Sequence, residues 1–220
     1  MNGAAIALFD LDGTITRRDT YVAYLLGLLA RHPGRLMRAA PLAGAVGLYA
    51  AGQRDNSWLK ARVLRAVLGG LELSALEAWT ESFLDRLLER GLRPRALEVI
   101  ERHCDAGDRI LLVTASLNFY AEPLGRRLGF DEVLCTRAAV DDTGRLTGRL
   151  DGGNCYGANK LRRVQSYLCA DAPGRSATFY TDHQADLPLL QFVERPIVVS
   201  PTRRMRRTAT RLGIAIQDWG

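Results

Sequence analysis

The sequence predicts an α/β protein, a doubly wound parallel sheet interrupted early by a long helical insert. Three observations carry this expectation. A short apolar run ends abruptly in Asp10-Leu11-Asp12-Gly13. Residues 19–92 then hold helical patterns and no convincing strand. After Pro94, apolar strands alternate with amphipathic helices to the end of the chain, the pattern of a parallel sheet covered on both faces.

Residues 4–9 are apolar and short enough for a buried strand, and the Asp-Gly turn stops it. Helices are expected over 21–30, 35–51, 58–68 and 74–90. Asp19 and Ser74 stand at N-cap positions, and Glu77, three residues after Ser74, completes a capping box. An amphipathic helix is expected over 95–106, a strand over 109–115 and a helix over 119–128. Strands over 133–140 and 145–150 flank Asp142-Thr143-Gly144, a hairpin signal. A helix over 160–168, a strand over 177–181, a helix over 187–193 and a strand over 196–200 follow. The chain closes with a basic helix over 202–212 and a short apolar segment, 214–216.

Composition narrows the function classes. The 220 residues carry 30 Lys+Arg against 24 Asp+Glu, a net charge of +6, and only Lys60 and Lys160 are lysines. So modest an excess suits an anionic substrate as well as nucleic acid. The terminal helix is rich in arginine (Arg203, Arg204, Arg206, Arg207, Arg211), but no aromatic residue interleaves them, so a solvated face is a better account than nucleic-acid binding. Cys104, Cys135, Cys155 and Cys169 show no ligand-like spacing, which argues against a disulfide framework or structural zinc. The N-terminus lacks the basic start of a signal peptide. The longest uncharged stretch, 39–53, contains Pro41 and falls short of the roughly 20 residues of a spanning helix. A cytoplasmic protein is expected. The arginines around that stretch leave peripheral contact with anionic lipid open, against a buried helix of small residues.

The chemistry gathers at strand ends. Asp10 and Asp12, two apart on a strand, present both carboxylates to one side. Alone, the pair would equally suit a polar strand end. Other residues break the tie. Thr114 closes the next strong strand, and Ala115 and Ser116 are expected to open a helix whose free N–H groups would cradle an anion. Lys160 opens a helix after a glycine loop, and Asp182 and Asp186 bracket the end of the 177–181 strand. Ligands of open α/β sheets bind at this edge. Carboxylates so crowded call for a hard cation such as Mg²⁺.

The motifs FDLDGTIT, LLVTAS, NCYGANK and YTDHQADLPLL resemble the haloacid dehalogenase superfamily, most closely its subfamily IB hydrolases and the phosphoserine phosphatase branch. The resemblance implies a Rossmann-like catalytic core, 1–18 and 93–220, with residues 19–92 as an inserted α-helical C1 cap. It implies Mg²⁺-dependent hydrolysis of a phosphomonoester. Asp10 would be the nucleophile, Asp12 the general acid/base, and Lys160 a catalytic cation. Thr114, Ala115, Ser116 and Lys160 would bind phosphate. Asp10, Asp12 (through its carbonyl), Asp182 and Asp186 would surround the metal. The substrate expected is a small soluble phosphomonoester, phosphoserine-like or histidinol phosphate-like, with a phospholipid head-group phosphate such as phosphatidylglycerophosphate as the alternative. Ala185 stands where phosphoserine phosphatases carry asparagine, which speaks against serine phosphate itself. His183 replaces a small residue of the relatives and reads as a loop histidine; Asp19 reads as an N-cap.

Overall fold

The computed structural model describes residues 5–171 and 176–220; Ala4, expected to open the first strand, lies outside them. In chain order the elements are β1 (Ile6–Phe9), α1 (Thr20–Arg31), α2 (Leu36–Ala39), α3 (Leu42–Ala50), α4 (Asn56–Val67), α5 (Glu77–Arg90) and α6 (Pro94–Asp105). There follow β2 (Arg109–Leu117), α7 (Asn118–Arg127), β3 (Glu132–Val140), β4 (Leu146–Asp151), α8 (Ala158–Asp171) and β5 (Ala177–Thr181). The chain ends with α9 (Leu187–Leu190), β6 (Arg195–Val199), α10 (Arg203–Arg211) and β7 (Ala215–Gln217). The sheet runs β4-β3-β2-β1-β5-β6-β7, parallel throughout except for the β3–β4 hairpin.

Strand β1 lies at the centre, fully buried, and its alternation builds two cores. Ile6 and Leu8 face a layer holding Leu111, Val113, Phe179 and Leu189. Ala7 and Phe9 face a layer that continues through Tyr120 of α7 into Tyr24, Trp79 and Phe83 of the helical insert. The Tyr24 ring stacks on Tyr120 with centroids 4.9 Å apart, and its hydroxyl meets Thr80 Oγ1 at 2.8 Å. Helices α1 and α5 are therefore anchored on the sheet side by aromatic packing. Helix α4 docks against β4 at Gly148, where a Cβ would collide with the Arg65 backbone.

Four expectations change. The 35–51 helix is broken into α2 and α3 around Pro41, which has no N–H and crowds the preceding turn. Ser74 does not cap α5: residues 74–76 form a tight turn of their own, and no side chain caps Glu77–Arg90. The turn supplies local bonds in place of the capping box. Strand β2 continues to Leu117, so Ala115 and Ser116 do not open a helix; α7 starts at Asn118. The 187–193 helix ends at Leu190. Asp19 does cap α1, accepting from Val22 N at 2.8 Å. Among the described residues, no helix is long and apolar enough to cross a membrane.

Candidate active site at the sheet edge

The parallel strands end on one edge, and the turn after β1 shapes it. Gly13 has φ +78°, and a Cβ there would run into the Asp182 carboxylate, so only glycine lets the β1 turn and the end of β5 approach so closely. Asp182 N donates to Thr14 Oγ1 at 3.0 Å and locks the two turns together. The pairing of β2 with β3 slips between Val113 and Leu117, so Thr114, Ala115 and Ser116 bulge from the ladder toward this edge.

Lys160, in the first turn of α8, is the hub. Its Nζ donates to Asp10 Oδ1 at 2.9 Å and to Asp186 Oδ2 at 2.7 Å, and all three side chains are buried. Burial alone would lower the lysine; the two carboxylates outweigh it and hold it above the usual lysine range. Burial pushes Asp10 up, reinforced by Asp186 and Asp182 and opposed by Lys160. Burial likewise pushes Asp182 up to about 6. Asp186 Oδ2 also accepts from Thr181 Oγ1 at 2.8 Å.

Asp12 is held at both oxygens. Oδ1 accepts from Thr20 N at 2.6 Å and Oδ2 from Ser116 Oγ at 2.8 Å. Burial, then the charge of Asp19, raises its pKa, against the hydrogen bonds from Thr20 and Ser116 that hold it down. Thr114 is buried behind this pair, and its Oγ accepts from Ser116 N at 3.0 Å. That N–H is therefore spoken for, and the expected open cradle of helix N–H groups is replaced by the bulge, its hydroxyls and Lys160. His183 Nδ1 accepts from Ala185 N at 3.1 Å, so the exposed histidine closes its own turn.

The carboxylates bear on the metal expectation. Among the described residues no three His, Cys, Asp or Glu side chains form a closed cage. Asp182 Oδ1, however, is buried without a hydrogen-bond partner. Among the described residues, Lys160 ion-pairs with Asp10 and Asp186 but not with Asp182, so three clustered carboxylates meet one lysine, an excess of negative charge that a divalent cation would offset. An open site of two carboxylates, a backbone carbonyl and water suits Mg²⁺, which keeps part of its water shell.

One participant escaped the motifs. Lys60 of α4 is buried, donates to the Ala115 carbonyl and, at 3.2 Å, to Asn154 Oδ1, and lies 4.7 Å from the Tyr21 ring centroid. Burial lowers it to about 8, with Asp12 and Asp19 resisting. Asn154 ties the same region together: its Oδ1 accepts from Thr136 Oγ1 at 2.9 Å and its Nδ2 donates to Asn56 Oδ1 at 2.8 Å. Lysine and asparagine thus join α4 to the edge of the sheet.

A model of the haloacid dehalogenase-like hydrolase family matches residues 7–191. The chain belongs to that family. It is similar to the phosphoserine phosphatase SerB1 of Mycobacterium tuberculosis, 29% identical over 98% of this chain and 71% of that protein. A solved protein of unknown function from Bordetella pertussis Tohama I superposes with a TM-score of 0.83 at 30% identity, covering 99% of this chain and 100% of that one. A substrate-bound phosphoserine phosphatase superposes with a TM-score of 0.68 at 16% identity, covering 100% and 95%, a likeness of fold. The chain is an enzyme, a hydrolase with phosphatases among its named relatives and structural neighbours.

Proposed function

We propose that the chain hydrolyses a small phosphomonoester through an aspartyl-phosphate on Asp10, with residues 19–92 as a cap over the core formed by 1–18 and 93–220. The observation that carries this reading is Lys160 fixed between Asp10 and Asp186 at the sheet edge. The lysine orients Asp10 and places a positive charge where phosphoryl oxygens would gather, while Asp186 and Thr181 hold the lysine.

Asp10 Oδ attacks phosphorus, and the bond from phosphorus to the alcohol oxygen breaks. Asp12 gives its proton to the departing alkoxide; its raised pKa suits that duty. In the second half, Asp12 takes a proton from water, whose oxygen attacks phosphorus. The acyl-phosphate bond breaks, and inorganic phosphate and the Asp10 carboxylate are restored. Thr114, Ala115 and Ser116 line the other side of the phosphoryl position. Asp10, the carbonyl of Asp12 and Asp182 would hold Mg²⁺, with Asp186 committed to Lys160. The cation would supply charge neutralisation and in-line alignment.

The experiment is turnover of p-nitrophenyl phosphate with Mg²⁺ by wild type and by Asp10→Asn. The amide is nearly isosteric and a poor nucleophile, so the variant should fold and lose turnover, and only wild type quenched during turnover of a radiolabelled phosphoester should carry label. A variant that keeps about a tenth of wild-type activity would remove Asp10 from this role.

A further inference from the structure

The candidate site opens into a cavity of about 570 Å³ whose two ends differ in chemistry. Its floor is Asp10, Asp12, Ser116 and Lys160. From there an arm rises among the helices of the cap, walled by Leu25, Leu29, Leu42, Leu59, Val63 and Val67. The charged groups nearest the arm are already engaged: Lys60 by Ala115 and Asn154, Asp19 by the N-terminus of α1. A serine-like alcohol would have to bring an ammonium and a carboxylate against leucines, at a desolvation cost those walls cannot offset. The apolar character continues to the mouth, where Leu26 is 61% exposed and Val46 49% exposed, beside Val22 and Tyr49. Large apolar side chains left in water around the mouth of an apolar cavity mark a ligand that covers them.

We propose that the alcohol carries a hydrocarbon chain, and that this chain lies in the arm while the phosphate sits on the floor. The substrate is then an amphiphilic phosphomonoester. This rests on the phosphomonoesterase reading above. Its support is continuity, since the arm is one cavity with the phosphoryl floor, so a chain of the right length needs no second site. The size also falls within the range of small-molecule pockets, about 300–1,000 Å³.

The test compares kcat/KM for n-butyl and n-octyl phosphate, both as monomers in solution with Mg²⁺, with p-nitrophenyl phosphate as the reference. Full burial of a methylene is worth up to about fourfold, so even a half-open arm should favour octyl by at least about 10-fold. Leu26→Asp with Val46→Asp places two carboxylates at the mouth, at exposed positions that tolerate charge, and should bring the octyl-to-butyl ratio to within about threefold of one. Thermal melting checks that the double variant is folded, and the wild-type series decides without it. Equal rates for octyl and butyl alongside robust p-nitrophenyl phosphate hydrolysis would overturn the chain assignment and leave the phosphatase reading intact. An octyl preference that the folded double variant retains would place the chain outside the arm and overturn the proposal. Failure on all three esters would overturn the phosphatase reading instead. The arm would then be judged by calorimetric binding of octylphosphonate against butylphosphonate, equal affinity counting against it.

Discussion

The two lysines of this chain, Lys60 on α4 and Lys160 on α8, are both buried on the same cavity and are displaced in opposite directions. Lys160 touches two carboxylates and is held as a cation; Lys60 touches a carbonyl and an amide and is pulled down to about 8. Burial is common to both, so the partners decide the sign. On the proposed reading, the Lys160 end of the cavity would hold fixed charge against a developing phosphoryl transition state. The α4 end holds the charge of Lys60 only reluctantly and is walled mostly by leucine and valine. Chemistry and recognition would then, as proposed, be separated along one cavity, by the polarity of what each segment of chain contributes.

The strongest challenge to that contrast is to remove the core lysine. Lys160→Ala leaves Asp10 and Asp186 without their shared cation. Turnover should fall by about 10²–10³-fold or more, the cost of removing one group that stabilises transition-state charge. Stability should fall as well, because breaking a buried ion pair costs about 3–5 kcal/mol. Steady-state kinetics and thermal melts read the two effects separately. A Lys160→Ala enzyme with near-wild-type kcat would show that the floor does not work through this charge.

The Lys160 end was also the legible one. Asp10, Asp12, Lys160, Asp182 and Asp186 lie just past strand ends or at a helix start, Thr114 sits in the bulge near the end of β2, and parallel strands bring such positions to one edge by topology alone. What their order could not show was the local geometry. The bulge at 114–116 depends on the register with β3, and it turned an expected helix start into strand. Pro41 is visible in the sequence, yet where the chain goes after the break depends on packing against α4. Lys60 carried a faint signal, being one of two lysines among 30 basic residues, the other already in a motif. Its partners, the Ala115 carbonyl and Asn154, lie 55 and 94 positions away, and no local pattern reports that contact.

A subtler effect should follow from Lys60. Folded, it sheds its proton near 8, whereas an unfolded lysine holds its proton to about 10.4. Between those values the unfolded chain binds more protons, so this group's contribution to stability improves as pH rises. Below about 8 its burial penalty is present in full. Lys60→Met abolishes the titration. The melting temperature of wild type relative to Lys60→Met should therefore rise by a few degrees between pH 7.5 and pH 10, given about 2–4 °C per kcal/mol for a chain of this size. A difference that stays flat across that range would mean that Lys60 remains charged, and the contrast between the two lysines would fail.

The smallest effect concerns the arginines beside the uncharged stretch, which the sequence left open to contact with anionic lipid. Arg35 Nη1 donates to the carbonyls of Val67 and Gly69 at 2.9 and 3.1 Å, at the end of α4, whereas Arg38 is exposed. A cation at a helix C-terminus satisfies carbonyls that the helix leaves without partners and interacts favourably with its dipole. Arg35 therefore has a structural duty at the end of α4, which carries both Lys60 and part of the apolar wall. Arg35→Ala should cost about 1 kcal/mol, the usual worth of such a bond when partly exposed, and Arg38→Ala should cost less than about 0.5 kcal/mol. Denaturant melts of the two variants side by side measure the difference. If Arg35 instead serves chiefly to hold anionic lipid, the two substitutions will leave stability alike and weaken flotation with anionic vesicles alike, each more at low salt than at high. Unequal melts with no change in flotation would assign Arg35 to the architecture of the helical insert, and the apolar arm would then owe its shape to an arginine that never touches the ligand.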